Sequence, residues 1–105
     1  PWLEGQIVQD ADRLDAMGAI GIGRAFAYGG HAGRLMYDPN HPPEQHDSAD
    51  AYRRSGGPML NHFHEKLFLL RDRMHTSAAR RIATERHRIM EEFVNQFLGE
   101  WSGSA

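Results

Sequence analysis

Three aspartates near the N-terminus are the residues whose spacing most suggests chemistry. Asp10, Asp12 and Asp15 lie within one short stretch. On a helix of about 3.6 residues per turn, Asp12 and Asp15 share a face while Asp10 points elsewhere. Carboxylates this close repel one another unless a cation, a basic side chain or water compensates them. The spacing therefore predicts that one of the three aspartates differs in role from the others.

The residues around the aspartates leave two interpretations open. A solvated acidic face near a helix start is the simpler one, because the helix dipole and N-capping favour aspartate there. However, the stretch is rich in apolar residues, and carboxylates on a mostly buried helix need a partner. Arg13 between the aspartates and Arg24 three turns on are basic partners within the chain.

The aspartate helix also carries a resemblance to a known family. The matching segments are VQDADRLDAMGAIGIGRAF, the YGG turn after it, and later NHFHEKLFLLRDRMHTSAARRIATERHRIMEEFVNQFLGEW. They resemble the C-terminal half of HD-superfamily metal-dependent phosphohydrolases. In that superfamily a histidine, a His-Asp pair and a distant aspartate in an A-D-R-L-like helix hold the metal. Ala11-Asp12-Arg13-Leu14 matches the last element, so the resemblance implies that Asp12 is a metal ligand and the catalytic carboxylate.

The resemblance implies further partners and site residues. The expected cofactor is a divalent metal, manganese or magnesium, or else iron, and the expected substrate is a nucleotide or another phosphorylated small molecule. Asp10 or Asp15 would support the metal from outside its ligand set. Arg24 would clamp a phosphate, because arginine suits bidentate contact. His62 and Lys66, in an H-F-x-E-K-L element, would contact phosphate or support the site; a solvated polar face is the alternative.

The family pattern is incomplete in this sequence. The helices carrying the histidine and the His-Asp pair are expected before residue 1. The dipeptide His46-Asp47 follows the aspartate helix and lies in a polar stretch, so its order in the chain is wrong and we interpret it as coincidence. We therefore expect a fragment with little hydrolase activity by itself. The alternative is a non-catalytic helical module that mediates interaction or dimerisation.

Composition limits the remaining classes. The chain has 105 residues, 40% of them hydrophobic and 25% charged, which predicts one domain or part of one. The net charge of −2 gives no general attraction to nucleic acid. The sequence has no cysteine, which excludes disulfides and thiolate metal sites and favours a cytoplasmic location. No apolar run reaches the roughly 20 residues of a membrane span.

Periodicity predicts an all-α helical bundle with a long polar loop. Residues 1–28 form the aspartate helix, continuing to about Ala27 with a kink near Gly18 and ending at Gly29-Gly30. Residues 29–57 form the loop, and residues 58–101 form a helical hairpin. In the hairpin, one helix reaches about Met74, Thr76 is the N-cap, and the last helix begins at Ser77. Its predicted core stripe contains Ala79, Ile82, Arg86, Ile89, Phe93, Phe97 and Trp101, and Met90, Val94 and Leu98 broaden it.

The polar loop contains several side chains that could bind a metal. They are His31, His41 and His46, beside Asp38, Glu44 and Asp47. Structural zinc sites usually draw on closely spaced ligands and commonly on cysteine. The loop has no cysteine, and Pro42-Pro43 separates His41 from His46. A built zinc site in the loop is therefore disfavoured.

Overall fold

The protein is a bundle of helices in a computed structural model that describes residues 2–44 and 56–104. The described residues contain no strand, which confirms the predicted all-α class. None of their helices is long and apolar enough to cross a membrane. The elements are α1 (Leu3–Asp15), α2 (Gly18–His31), α3 (Met59–Glu65), a 3₁₀ helix (Leu67–Arg73) and α4 (Ser77–Ser102).

The N-terminal segment forms two helices where a single kinked helix was predicted. The chain breaks at Ala16 and Met17, and Gly18 adopts a φ of 71°, a left-handed conformation that favours glycine. The predicted end at Gly29-Gly30 is wrong, because α2 continues to His31. Gly29 instead allows close packing, since a Cβ at this position would collide with the side chain of Met59.

The helix predicted to reach Met74 is also divided. The α-helical part, α3, ends at Glu65, and Lys66 breaks it with φ −141° and ψ −54°. The chain continues as the 3₁₀ helix, whose three residues per turn place Leu67 and Leu70 on the same side. Both leucines are buried, so the change of helix type keeps them in the core.

Aromatic rings from three helices fill the centre of the bundle. Phe26 of α2, Phe63 of α3 and Phe93 of α4 have ring centroids 5.7 to 5.9 Å apart. Such pairs add to the free energy that burial of their apolar area contributes. The stripe predicted for α4 is confirmed at Ala79, Met90 and Val94, which are buried, and is wrong at Ile82, which is 44% exposed. The fully buried residues of α4 are Ala79, Ala83, His87, Met90 and Val94.

Helix α4 begins and ends as its sequence predicts. The Thr76 hydroxyl accepts a hydrogen bond from the Ala79 amide at 3.2 Å, which confirms Thr76 as the N-cap. At the other end Gly103 has a φ of 81°, and its amide donates to the Glu100 carbonyl. The start of α4 is thus fixed next to the turn at His75, where α1 also makes contact.

Candidate functional site

Asp10 is the one side chain of α1 that is fully buried. Its Oδ1 accepts a hydrogen bond from the His75 amide at 2.8 Å. Its Oδ2 accepts from the Thr76 amide and the Thr76 hydroxyl, both at 2.9 Å. The carboxylate therefore caps the first turn of α4 from another helix, where amides without helical partners favour negative charge. This confirms that one of the three aspartates has a separate role.

The hydrogen bonds to Asp10 also determine its protonation. Burial by itself raises the pKa of this carboxyl, because it disfavours the charged form. The hydrogen bonds from His75 and Thr76 stabilise the charged form and outweigh burial, so the net pKa of Asp10 is lowered from its ordinary value. Asp10 is consequently a carboxylate at neutral pH, and it serves the fold.

Further polar contacts attach α1 to the turn before α4 and to α4 itself. Arg13 Nη1 donates to the Arg73 carbonyl at 3.0 Å and lies 3.3 Å from His75 Nε2. That nitrogen lies 2.7 Å from the side-chain oxygen of Gln9. Near the end of α1, Arg86 Nη1 donates to the Leu14 carbonyl at 2.8 Å. Arg13 therefore binds the turn before α4, and in the described part of the chain it forms no ion pair with the aspartates that flank it in sequence.

Asp12 lies on the other side of α1, where its side chain is exposed. The same helix exposes large apolar residues, with Leu3 62%, Ile7 52% and Val8 61% accessible. The expectation that the aspartates lie on a mostly buried helix is thus wrong for the described chain. Of these apolar residues, Val8 lies one helical turn before Asp12 on a similar side of α1. The buried side of the helix is held largely by polar groups.

The other predicted site residues occupy separate positions. Arg24 is exposed on α2, and its Nη1 donates to the Asp15 carbonyl at 3.3 Å. His62 is half-buried in α3, whereas the Lys66 side chain is exposed at the break after that helix. Within residues 2–44 and 56–104, no hydrogen bond or ion pair joins the side chains of Asp12, Arg24 and Lys66.

These residues do not provide a complete set of ligands for a divalent metal ion. No group of three or more His, Cys, Asp or Glu side chains converges in the described part of the chain. Asp12 offers one carboxylate. In the loop, His41 Nε2 lies 3.7 Å from Glu44 Oε2, a pair without a third ligand among the residues described. His46 and Asp47 lie outside the described residues.

Comparison with known proteins places this geometry in context. The chain is 45% identical over 94 residues to YpgQ of Bacillus subtilis, an uncharacterized protein, covering 90% of this chain and 38% of YpgQ. A protein structure from Lactobacillus plantarum matches with a TM-score of 0.90 and 52% identity, covering 97% of this chain and 48% of that one. No protein-family model matches the chain.

Two further solved structures bear on function. An HD-superfamily hydrolase from Bacillus thuringiensis matches with a TM-score of 0.78 and 57% identity, over 94% of this chain and 46% of that one. The structure of B. subtilis YpgQ in complex with ADP matches with a TM-score of 0.76 and 37% identity, over 97% and 47%.

The fold and the exposed aspartate helix define an all-α protein of the HD type. The chain is similar over nearly its whole length to part of an HD-superfamily hydrolase, and the resemblance seen in its ADRL helix is confirmed. HD-superfamily hydrolases are metal-dependent. The chain spans less than half the length of the relatives described above.

Proposed function

We propose that this chain is the aspartate-bearing part of a metal-dependent phosphohydrolase that acts on a nucleotide or another phosphate or pyrophosphate ester. The observation that carries the proposal is the match to an HD-superfamily hydrolase over 94% of the chain, with Asp12 of the ADRL helix exposed. The ADP complex of YpgQ supports a nucleotide as the substrate class. Asp12 is the proposed metal-binding and catalytic carboxylate.

The proposal includes a contribution from elsewhere in the complete protein. One carboxylate and water rarely hold a transition metal tightly, and imidazole and carboxylate ligands suit manganese, magnesium or iron. We expect upstream helices to supply a histidine and a His-Asp pair. Those helices would also cover Leu3, Ile7 and Val8, whose exposure favours association with another surface.

Arg24, His62 and Lys66 remain the proposed substrate contacts. Within residues 2–44 and 56–104, the Arg24 guanidinium donates one hydrogen bond, to the Asp15 carbonyl, and its remaining donors suit a bidentate phosphate contact. Lys66 offers a solvent-exposed ammonium at the break after α3.

Hydrolysis of nucleoside mono-, di- and triphosphates with Mn²⁺ tests the proposal. We would compare this chain, its Asp12→Ala variant, and the chain joined behind the upstream half of YpgQ. Activity in the joined protein alone, lost on changing Asp12, would support both the hydrolase and the partial-chain proposals. Turnover by the isolated chain that depends on Asp12 would reject the partial-chain proposal.

The second candidate function is a non-catalytic interaction module. The exposed apolar side chains of α1, together with Ile20 on α2 at 72% exposure, favour it. Light scattering at increasing concentration measures self-association. The Val8→Glu variant, which places a charge among the exposed apolar side chains, should weaken it. Association that Val8→Glu removes, with no hydrolysis by any version, would favour this module; a monomer at all concentrations would count against it.

A further inference from the structure

The buried contacts of Asp10 lie on the side of α1 opposite Asp12. Two residues along a helix correspond to about 200° of rotation, so the two carboxylates point in nearly opposite directions. Asp10 is 3% exposed and fully hydrogen-bonded, whereas Asp12 is exposed. Contacts that fix the position of Asp10 therefore also fix the direction in which Asp12 points.

The packing of α1 makes this polar attachment important. Apart from Asp10, no residue of α1 is fully buried, and Leu14 is the one that contacts the hydrophobic core as a partly buried side chain. Apolar contacts tolerate small rotations, whereas hydrogen bonds require defined distances and angles. Asp10 accepts three such bonds from two consecutive residues. The rotation of α1 about its own axis is thus set mainly by polar geometry.

We infer that Asp10 is a positioning residue that sets the orientation of Asp12 by locking α1 to the start of α4. Its role in catalysis rests on the function proposed above. The Asp12 carboxylate stands about 5 Å from the helix axis, so a 20° rotation of α1 moves it by about 2 Å. Displacements of about 1 Å in a catalytic group can lower a rate by about 100-fold.

Thr76 completes the lock because its hydroxyl has two functions. It donates to Asp10 Oδ2 and accepts from the Ala79 amide, so its hydrogen is directed toward α1. Serine at this position keeps both bonds, whereas valine keeps the shape and loses both. The pair Thr76→Ser and Thr76→Val therefore separates the hydroxyl from the volume of the side chain.

The absence of native cysteine allows the orientation of α1 to be measured directly. Spin labels would be attached at Val8→Cys on α1 and Asn95→Cys on α4, both exposed positions. Residue 95 lies about 27 Å along α4 from its start, a suitable span for pulsed dipolar spectroscopy. The measurement needs neither metal nor substrate.

The original chain should give a narrow distribution of distances between the two spin labels. In Asp10→Asn, this distribution should shift or broaden by about 2 Å or more. Asp12→Asn should reproduce the original distribution, and Thr76→Val should move toward Asp10→Asn while Thr76→Ser does not. An unchanged distribution in a helical Asp10→Asn chain would overturn the inference. If Asp10→Asn does not fold, identical distributions for the two Thr76 variants would overturn it instead.

The catalytic consequence has its own readout in the hydrolysis assay. In the active joined protein, Asp10→Asn should lower kcat by about 10- to 100-fold with KM changed less than about threefold, because orientation and not ground-state affinity is lost. An unchanged kcat would reject the catalytic role. If no version hydrolyses any ester, the proposed function fails, while the distance measurement still decides whether Asp10 orients α1.

Discussion

Replacing Asp10 by asparagine should destabilise the fold more than the same replacement at Asp12 or Asp15. Asparagine has one acceptor oxygen, so it can satisfy only one side of the His75 and Thr76 pair, and its amide donors then face an N–H. Loss of hydrogen bonds to a buried charge, with a donor left unpaired, costs about 2 to 4 kcal/mol. For a chain of this length that is a large part of a typical stability of about 5 to 15 kcal/mol.

The effect should depend on pH in a defined direction. The folded-state pKa of Asp10 is lowered below its ordinary value of 3.8, so the unfolded chain binds the proton first as the pH falls. The stabilisation by the carboxylate is therefore fully present above pH 3.8 and is lost as the pH falls through the lower folded-state pKa. Asparagine cannot titrate, and the other carboxyl groups are common to both proteins. The difference in unfolding free energy between them should consequently shrink toward acid pH.

Urea unfolding followed by far-UV circular dichroism at several values between pH 7 and pH 3 measures this difference. Asp12→Asn is the matched control, and it should stay within about 0.5 kcal/mol of the original chain because Asp12 is exposed. The m-value should not change, since the same surface is exposed on unfolding. A difference between the original chain and Asp10→Asn that is constant across this pH range would refute the assigned pKa direction.

Two further substitutions test the packing around the site by the same unfolding assay. Gly29→Ala should destabilise by about 1 to 3 kcal/mol because its methyl group collides with Met59, whereas Gly30→Ala, with open space around its Cβ, should be neutral or slightly stabilising; equal effects would contradict the assigned packing. Arg86→Met should cost about 1 to 2 kcal/mol through the lost bond to the Leu14 carbonyl, with the exposed Arg81→Met near zero; no difference between the two would show that this bond contributes little.

Local sequence signals predicted the features that depend on near neighbours. Thr76 was identified as an N-cap because a hydroxyl residue precedes a strongly periodic stretch, and the helical class followed from the spacing of apolar residues. The ADRL match led to the family. The three-aspartate spacing also predicted a separate role for one member, although it did not identify which one.

Features that depend on distant residues were not predictable in this way. Asp10 meets Thr76 across 66 positions, and no local pattern in either segment specifies that pairing. Gly29 was interpreted as a helix end because glycine is common there, whereas its place is set by the Met59 side chain of another helix. The exposure of the apolar residues Leu3, Ile7 and Val8 escaped prediction for the same reason, since periodicity does not say which surfaces are covered.

The long-range attachment of α1 also orders the steps of folding. The amides that bind Asp10 are 65 and 66 positions away, so α1 can dock only after a long loop has closed and the first turn of α4 exists. Helices α3 and α4 are separated by the 3₁₀ helix and share the aromatic cluster, so their contacts close a much shorter loop and carry a smaller entropic penalty. We therefore expect α1 to dock last during folding. In the native state, we expect the local unfolding that releases α1 to cost the least free energy. Among the described helices, the one that presents Asp12 is thus expected to be released first, and a surface that covers it would stabilise the last step of folding.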